Sequence, residues 1–340
     1  MKINNKNYTR REIEGYVNNI KQIAEIKEVG LLSGRGRGNR VLEVSTGSGF
    51  VFTVSPDRGL DISRAAFNGK SICYVTPNGE TNPSYYDRHG KGWVTNFPAG
   101  MVTTCGLHNV GVPCEYNGTE YGLHGDYSYL PADSVSYKGY WDGDDYYLVI
   151  EGTVNAGVMF GDTLVVERKI TAKAGESYFT LNDTITNISG APSPLMLLYH
   201  CNFGFPLISE NAYIELSSDV FARDDEATKG INNYNKMDIP TVDYAEQVFG
   251  HNVNADNNGD FMVKILNPDF ASASGAYLKY NTKNLPVLVE WKQMGYGSYV
   301  LGIEPANAFV SGIKDAAEKG DLKYLAPGES KTFGIEIGIV

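Results

Sequence analysis

Two histidines and a glutamate in this 340-residue sequence have the side chains for paired proton transfer. His124 lies in Gly122-Leu-His-Gly, His200 in Tyr199-His-Cys-Asn-Phe-Gly, and Glu304 in Gly302-Ile-Glu-Pro-Ala-Asn. Two imidazoles and a carboxylate can together accept one proton and donate another near neutral pH. Opening and reclosing a cyclic hemiacetal, such as a sugar ring, requires such a pair of transfers and needs neither metal nor cofactor. Strand alternation puts Leu198, His200 and Asn202 on one face of an apolar segment, where polar groups must find partners or bear a desolvation cost. The glycines around His124 allow a tight backbone turn. Pro305 ends regular pairing just beyond Glu304. Each residue also has a plain explanation: a hydrogen-bonded core histidine, a chance Leu-His-Gly, a solvated glutamate at a strand end.

Other side chains could bind rather than react. Arg58 and Asp61 fall in Ser55-Pro-Asp-Arg-Gly-Leu-Asp-Ile-Ser. They can form surface ion pairs of little energy, or the arginine can aim its planar fork at ring hydroxyls. Trp291 and Lys292 follow one another in Val289-Glu-Trp-Lys, where the indole can be a sugar-stacking wall or a packed strand aromatic. Cys105, His108, Cys114 and His124 lack the paired spacing of a zinc site, so no metal is expected. No Gly-x-Ser-x-Gly elbow supports serine-hydrolase chemistry.

The elements that must position these groups are mainly strands. Thr9-Arg-Arg-Glu12 reads as a capping box that opens a helix. Ile13, Tyr16, Val17, Ile20 and Ala24 continue it at helical spacing toward a stop at Gly30. From about residue 40 short β-branched and aromatic runs take over, separated by Gly, Asn, Asp and Pro. The 38 glycines and 23 tyrosines suit a strand-rich protein with many turns. Residues 222–260, rich in Asp, Asn, Gly and Lys, read as a polar excursion outside the core. The expected organisation is an N-terminal helical extension over 1–40 and one all-β domain over 41–340.

A net charge of −11 with no Lys/Arg cluster argues against nucleic-acid or anionic-membrane partners. The basic run at 34–40 neither follows a clear strand nor opens a helix, so it reads as a surface turn and not a phosphate loop. No signal peptide or 18-residue apolar span is visible, and four cysteines make no small-domain disulfide framework. A cytoplasmic protein with reduced thiols is the expectation.

Taken in order, Asp57-Arg-Gly-Leu-Asp-Ile, Pro98-Ala-Gly-Met-Val-Thr-Thr-Cys-Gly-Leu, Gly122-Leu-His-Gly, Tyr199-His-Cys-Asn-Phe-Gly-Phe-Pro-Leu, Gly302-Ile-Glu-Pro-Ala-Asn and Ala326-Pro-Gly-Glu resemble the aldose 1-epimerase (galactose mutarotase-like) superfamily, and within it the DUF4432 branch. The resemblance implies a β-supersandwich and a cofactor-free sugar isomerase. By motif, Glu304 would be the general base and His200 the general acid, with His124 and Arg58 holding the sugar. Asp61, Asn202, Trp291 and Lys292 join the expected binding set. Tyr-His-Cys-Asn around His200 differs from the Asn-His-Ser-Tyr of galactose mutarotases, which leaves the sugar open. The expected partner is a small-molecule carbohydrate, and the expected assembly a monomer or homodimer. A non-catalytic sugar-binding or sensing protein using the same cleft is the alternative.

Overall fold

The computed structural model describes residues 1–4, 6–271 and 273–340. Among these, most strands assemble into two large antiparallel sheets of twelve and eight strands. The larger sheet runs in space Ser218–Ala222, Gln247–Val253, Val287–Gly295, Ser298–Ala306, Ser193–Gly204, Val102–Leu107, Asp61–Phe67, Phe50–Ser55, Arg40–Ser45 and Glu25–Gly30, with two short strands attached. The smaller sheet contains the long hairpins of 134–187 and the C-terminal strand Ser330–Ile339. This is the all-β architecture expected from the many short runs.

The capping box is present: Thr9 Oγ1 accepts from the Glu12 amide at 3.2 Å, and Glu12 Oε2 accepts from the Thr9 amide at 2.8 Å. The helix it opens is shorter than the apolar spacing predicts, covering only Arg10–Tyr16. Gly15 weakens its last turn, and Asn19 caps a separate 3-10 turn at Ile20–Gln22. Glu25–Gly30 then pairs antiparallel with Arg40–Ser45. The boundary expected at residue 40 therefore falls inside a hairpin of the large sheet.

The sheets pack face to face over a core to which both contribute, as in the approach of Phe52 to Phe179 at 5.0 Å between ring centroids. A polar seam crosses this core. Arg168, on the smaller sheet, is fully buried and grips Asp183 through Nε and Nη2, both at 2.8 Å. Its Nη1 reaches Asp61 at 2.8 Å, on the larger sheet. Asp61 also accepts from Thr104 N and Oγ1, while Tyr199 Oη donates to Asp183 at 2.7 Å.

A second apolar cluster lies on the other face of the large sheet, and strand alternation decides which residues reach it. Along Ser193–Gly204, Leu197, Tyr199, Cys201 and Phe203 enter the inter-sheet core, whereas Met196 and Leu198 face the second cluster. His200 follows them outward. By the same rule Leu288 and Met294 point inward while Val289 and Trp291 point outward. The 222–260 stretch is not simply an excursion. It contains the strand Gln247–Val253, whose Val248 and Phe249 are buried, although the run Gln-Val-Phe-Gly-His-Asn-Val has no period-two alternation to mark it.

Candidate active site

The outward faces of four neighbouring strands form the floor of a cavity of about 670 Å³. The register aligns Cys201 with Ile303 and Asn202 with Gly302, so His200 stands across from Glu304. Glu304 in turn pairs with Val289, and Gly302 with Trp291. Trp291 pairs with Val248. Two rows result: His200, Glu304 and Val289, then Gly302, Trp291 and Val248.

His200 Nε2 and Glu304 Oε1 lie 3.1 Å apart, with both side chains nearly inaccessible. They are close without being aligned for a hydrogen bond: among the described residues neither Glu304 Oε1 nor His200 Nδ1 has a hydrogen-bond partner. Burial raises the Glu304 carboxyl well above its ordinary range, and nearby Glu246 pushes it the same way. Burial also lowers His200 to about 3, with a further contribution from His124. Both shifts follow from removing a charged form from water. Burial thus favours the neutral form of each group, with the pair's proton on the carboxyl.

His124 is fixed by its backbone. It adopts φ 56°, a left-handed conformation uncommon outside glycine. Its amide donates to Gly111 O at 2.9 Å, and Gly111 N donates back to His124 Nδ1 at 3.3 Å. With Nδ1 accepting, the ring proton resides on Nε2. Burial lowers this imidazole to about 4, so it is a neutral donor at pH 7. The His124 and His200 rings are 5.7 Å apart, and Trp93 packs on His124 at 4.8 Å. Trp291 meets His200 edge-on at 5.3 Å.

Gly302 makes room for the carboxylate. A Cβ there would fall 2.5 Å from Glu304 Oε1 and 3.1 Å from Trp291 Cβ. A Gly302→Ala variant is expected to keep its circular dichroism while losing activity by about 10²-fold, the usual cost of misplacing a reacting group by an ångström. Unchanged activity would mean that the carboxylate position is not what matters.

A family model described as a domain of unknown function, DUF4432, matches residues 36–339. The chain belongs to the DUF4432 family. A search of curated proteins finds no match. Among solved structures, a proposed aldose 1-epimerase from Klebsiella pneumoniae aligns over 94% of this chain and 86% of its own, with 27% identity and a TM-score of 0.87. A galactose mutarotase-like protein from Clostridium acetobutylicum aligns over 94% and 99%, with 16% identity and a TM-score of 0.65. A galactose 1-epimerase from Lactobacillus acidophilus aligns over 93% and 99%, with 11% identity and a TM-score of 0.56. The last two establish a shared galactose mutarotase-like fold.

Of the residues singled out in this DUF4432 chain, His124, His200, Trp291 and Glu304 line the cavity. The other four do not. Arg58 is buried one layer behind: it sits over the Tyr129 ring at 4.5 Å and donates to Thr81 O, while Tyr129 Oη donates to Trp93 O. Asp61 belongs to the inter-sheet seam. Asn202 turns back on its own strand, donating to His200 O at 2.9 Å. Lys292 alternates to the opposite face, 2.9 Å from Asp238. Local sequence missed Arg223 and Glu246. Both line the cavity, 3.3 Å apart, and Glu246 also accepts from Trp291 Nε1 at 2.8 Å. Glu246-Gln-Val-Phe carries no period-two alternation, so no local signal marked either residue.

Proposed function

We propose that this protein interconverts the anomers of a free sugar by general acid–base catalysis, as an aldose 1-epimerase does. The observation that carries the reading is the buried His200–Glu304 pair, 3.1 Å apart on the floor of a cavity walled by Trp93 and Trp291. The names of the structural relatives support it. In the cyclic sugar, Glu304 takes the proton of the anomeric hydroxyl while His200 gives one to the ring oxygen. The C1–O5 bond breaks and C1=O1 forms. Rotation about C1–C2 and reclosure, with the transfers reversed, yields the other anomer and restores both groups. His124 Nε2–H donates to a sugar hydroxyl, Trp291 and Trp93 cover C–H faces, and Glu246 and Arg223 offer an acceptor and a donor farther along.

Because the free pair keeps its proton on the carboxyl, binding must move it. Hydroxyls arriving beside Glu304 solvate its charged form, and the proton passes to His200, ready for O5. The reactive state needs one proton on the pair, so the profile of kcat against pH is bell-shaped. Its acid limb requires a second proton on the pair, which the lowered His200 resists. Activity is therefore expected to persist at pH 5. A decline with its midpoint at 6.5, the ordinary histidine value, would contradict the buried-pair account. The linked stability has a definite sign. Between pH 6.5 and the depressed values of about 4 and about 3, the unfolded chain binds more protons at His124 and His200. Stability from these groups is lost as pH falls through that window.

The direct test is polarimetry of freshly dissolved aldoses with the protein added. Acceleration over the buffer rate for at least one sugar is expected. Tight binding of sugars with no acceleration for any would favour the non-catalytic sugar-binding reading.

A further inference from the structure

Behind His124 the contacts of Arg58 continue into a stacked layer. Tyr86 and Tyr129 lie face to face, with ring centroids 3.7 Å apart and planes within 6° of parallel. The buried Arg58 guanidinium covers the Tyr129 ring at 4.5 Å, a contact that gains strength away from water. Arg58 Nη1 donates to Thr81 O at 2.8 Å, just before the Pro83–Tyr85 turn that delivers Tyr86. The adjoining Gly59 amide donates to Leu130 O at 2.7 Å, next to Tyr129. One short segment therefore ties down both tyrosines.

Each phenol ends on a neighbour of His124. Tyr86 Oη donates at 3.1 Å to the carbonyl of Gly125, the residue that follows His124. Tyr129 Oη donates to Trp93 O at 3.0 Å, and the Trp93 indole packs on the His124 ring. Burial raises both phenols, so both hydroxyls remain protonated donors at neutral pH. The backbone gives a reason for such anchoring. His124 is held at φ 56°, a conformation that a non-glycine residue keeps where its surroundings over-determine it. Backbone bonds from Gly106 and Gly111 hold the turn, and the Tyr86 hydroxyl adds a side-chain anchor at Gly125. We infer that the Arg58–Tyr129–Tyr86 stack is a positioning device that sets where the His124 Nε2–H meets the sugar, an inference that rests on the anomer-exchanging reading above.

Tyr86→Phe keeps the stack and removes only the bond to Gly125 O. KM should rise by about threefold to tenfold, the worth of one hydrogen bond, while kcat stays the same, as for a contact that holds ground and transition state alike. Tyr129→Phe, which frees Trp93 O, should repeat the pattern. His124→Asn tolerates the left-handed backbone but is too short to reach the sugar. Adding Tyr86→Phe to His124→Asn should change KM by less than about twofold, because the tyrosine acts through a ring that is gone. A Tyr85→Phe control, 59% exposed, leaves KM unchanged. Sugar affinity, followed by quenching of indole fluorescence, is measured on the same proteins, so the comparison does not depend on turnover. A loss of affinity in Tyr86→Phe that disappears in the His124→Asn background supports the positioning role even where no sugar is turned over, an outcome that overturns only the anomer-exchange reading. Unchanged affinity in Tyr86→Phe and Tyr129→Phe, or an equal added loss in both backgrounds, overturns the positioning role and leaves anomer exchange standing. Neither binding nor exchange with any aldose overturns both.

Discussion

Replacing Glu304 with glutamine is expected to slow anomer exchange by about 10²–10⁴-fold, the range for removing one positioned proton-transfer group. Glutamine keeps the shape and one acceptor oxygen, so the cavity and sugar affinity should change little. His200→Asn is expected to cost a similar factor, because O5 would then leave without a proton. The two groups act on one proton, so the double variant should be little worse than either single one. Rates by polarimetry, with KM measured separately, check all three. Burial adds an observable to the rate. Turning the carboxyl into an amide changes the group facing His200 Nε2, and the imidazole resonances of the variant should move while those of exposed His89, beside Glu120, stay fixed.

The second large effect is on stability. Arg168→Met should destabilise the protein by about 3–5 kcal/mol, the usual cost of removing one partner from a buried ion pair. Arg168 bridges Asp61 on one sheet and Asp183 on the other, and also donates to Gly59 O at 3.0 Å. Without it, two carboxyls and the Tyr199 hydroxyl are left in the core with no cation. The direction of the Asp61 shift, raised by burial even with the guanidinium present, shows how little solvation is in reserve. Urea denaturation should give a lower midpoint at unchanged slope. A midpoint equal to that of the unchanged protein would mean that the seam contributes nothing. A triple replacement that also turns Asp61 and Asp183 into leucine should recover part of the loss, since it removes the stranded charges as well.

This seam explains why Asp57-Arg-Gly-Leu-Asp was legible as a motif and misleading as a site. The segment matters because Gly59 O and Asp61 receive Arg168 from 107 residues away along the chain, and no local pattern announces a partner so distant. Arg58 lies outside the cavity as well: its Nη1 donates to Thr81 O and its guanidinium covers the Tyr129 ring. Lys292 was within reach of sequence reasoning. Period-two alternation in Val287–Gly295 separates it from Trp291 as firmly as it joins Trp291 to Val289. The same alternation placed His200 correctly on the face opposite Tyr199 and Cys201. Arg223 and Glu246 were hidden by a polar stretch whose strand Gln247–Val253 lacks alternation and carries Gly250 at its middle. A Cβ there would strike the Phe221 ring at 2.1 Å, so this glycine belongs to strand packing and not to a loop. The strand-rich class was readable because it depends on local spacing. The second row of the site was not, because it depends on which strands become neighbours.

The most direct measurement of the central claim is two-dimensional exchange NMR of an equilibrated aldose in the presence of the protein. Cross-peaks between the α and β anomeric protons should grow with protein concentration and vanish to the buffer rate with Glu304→Gln, while sugar titration still perturbs the Trp291 indole of that variant. Cross-peaks of equal intensity for the unchanged protein and for Glu304→Gln would contradict the account, because Glu304 would then not be the base.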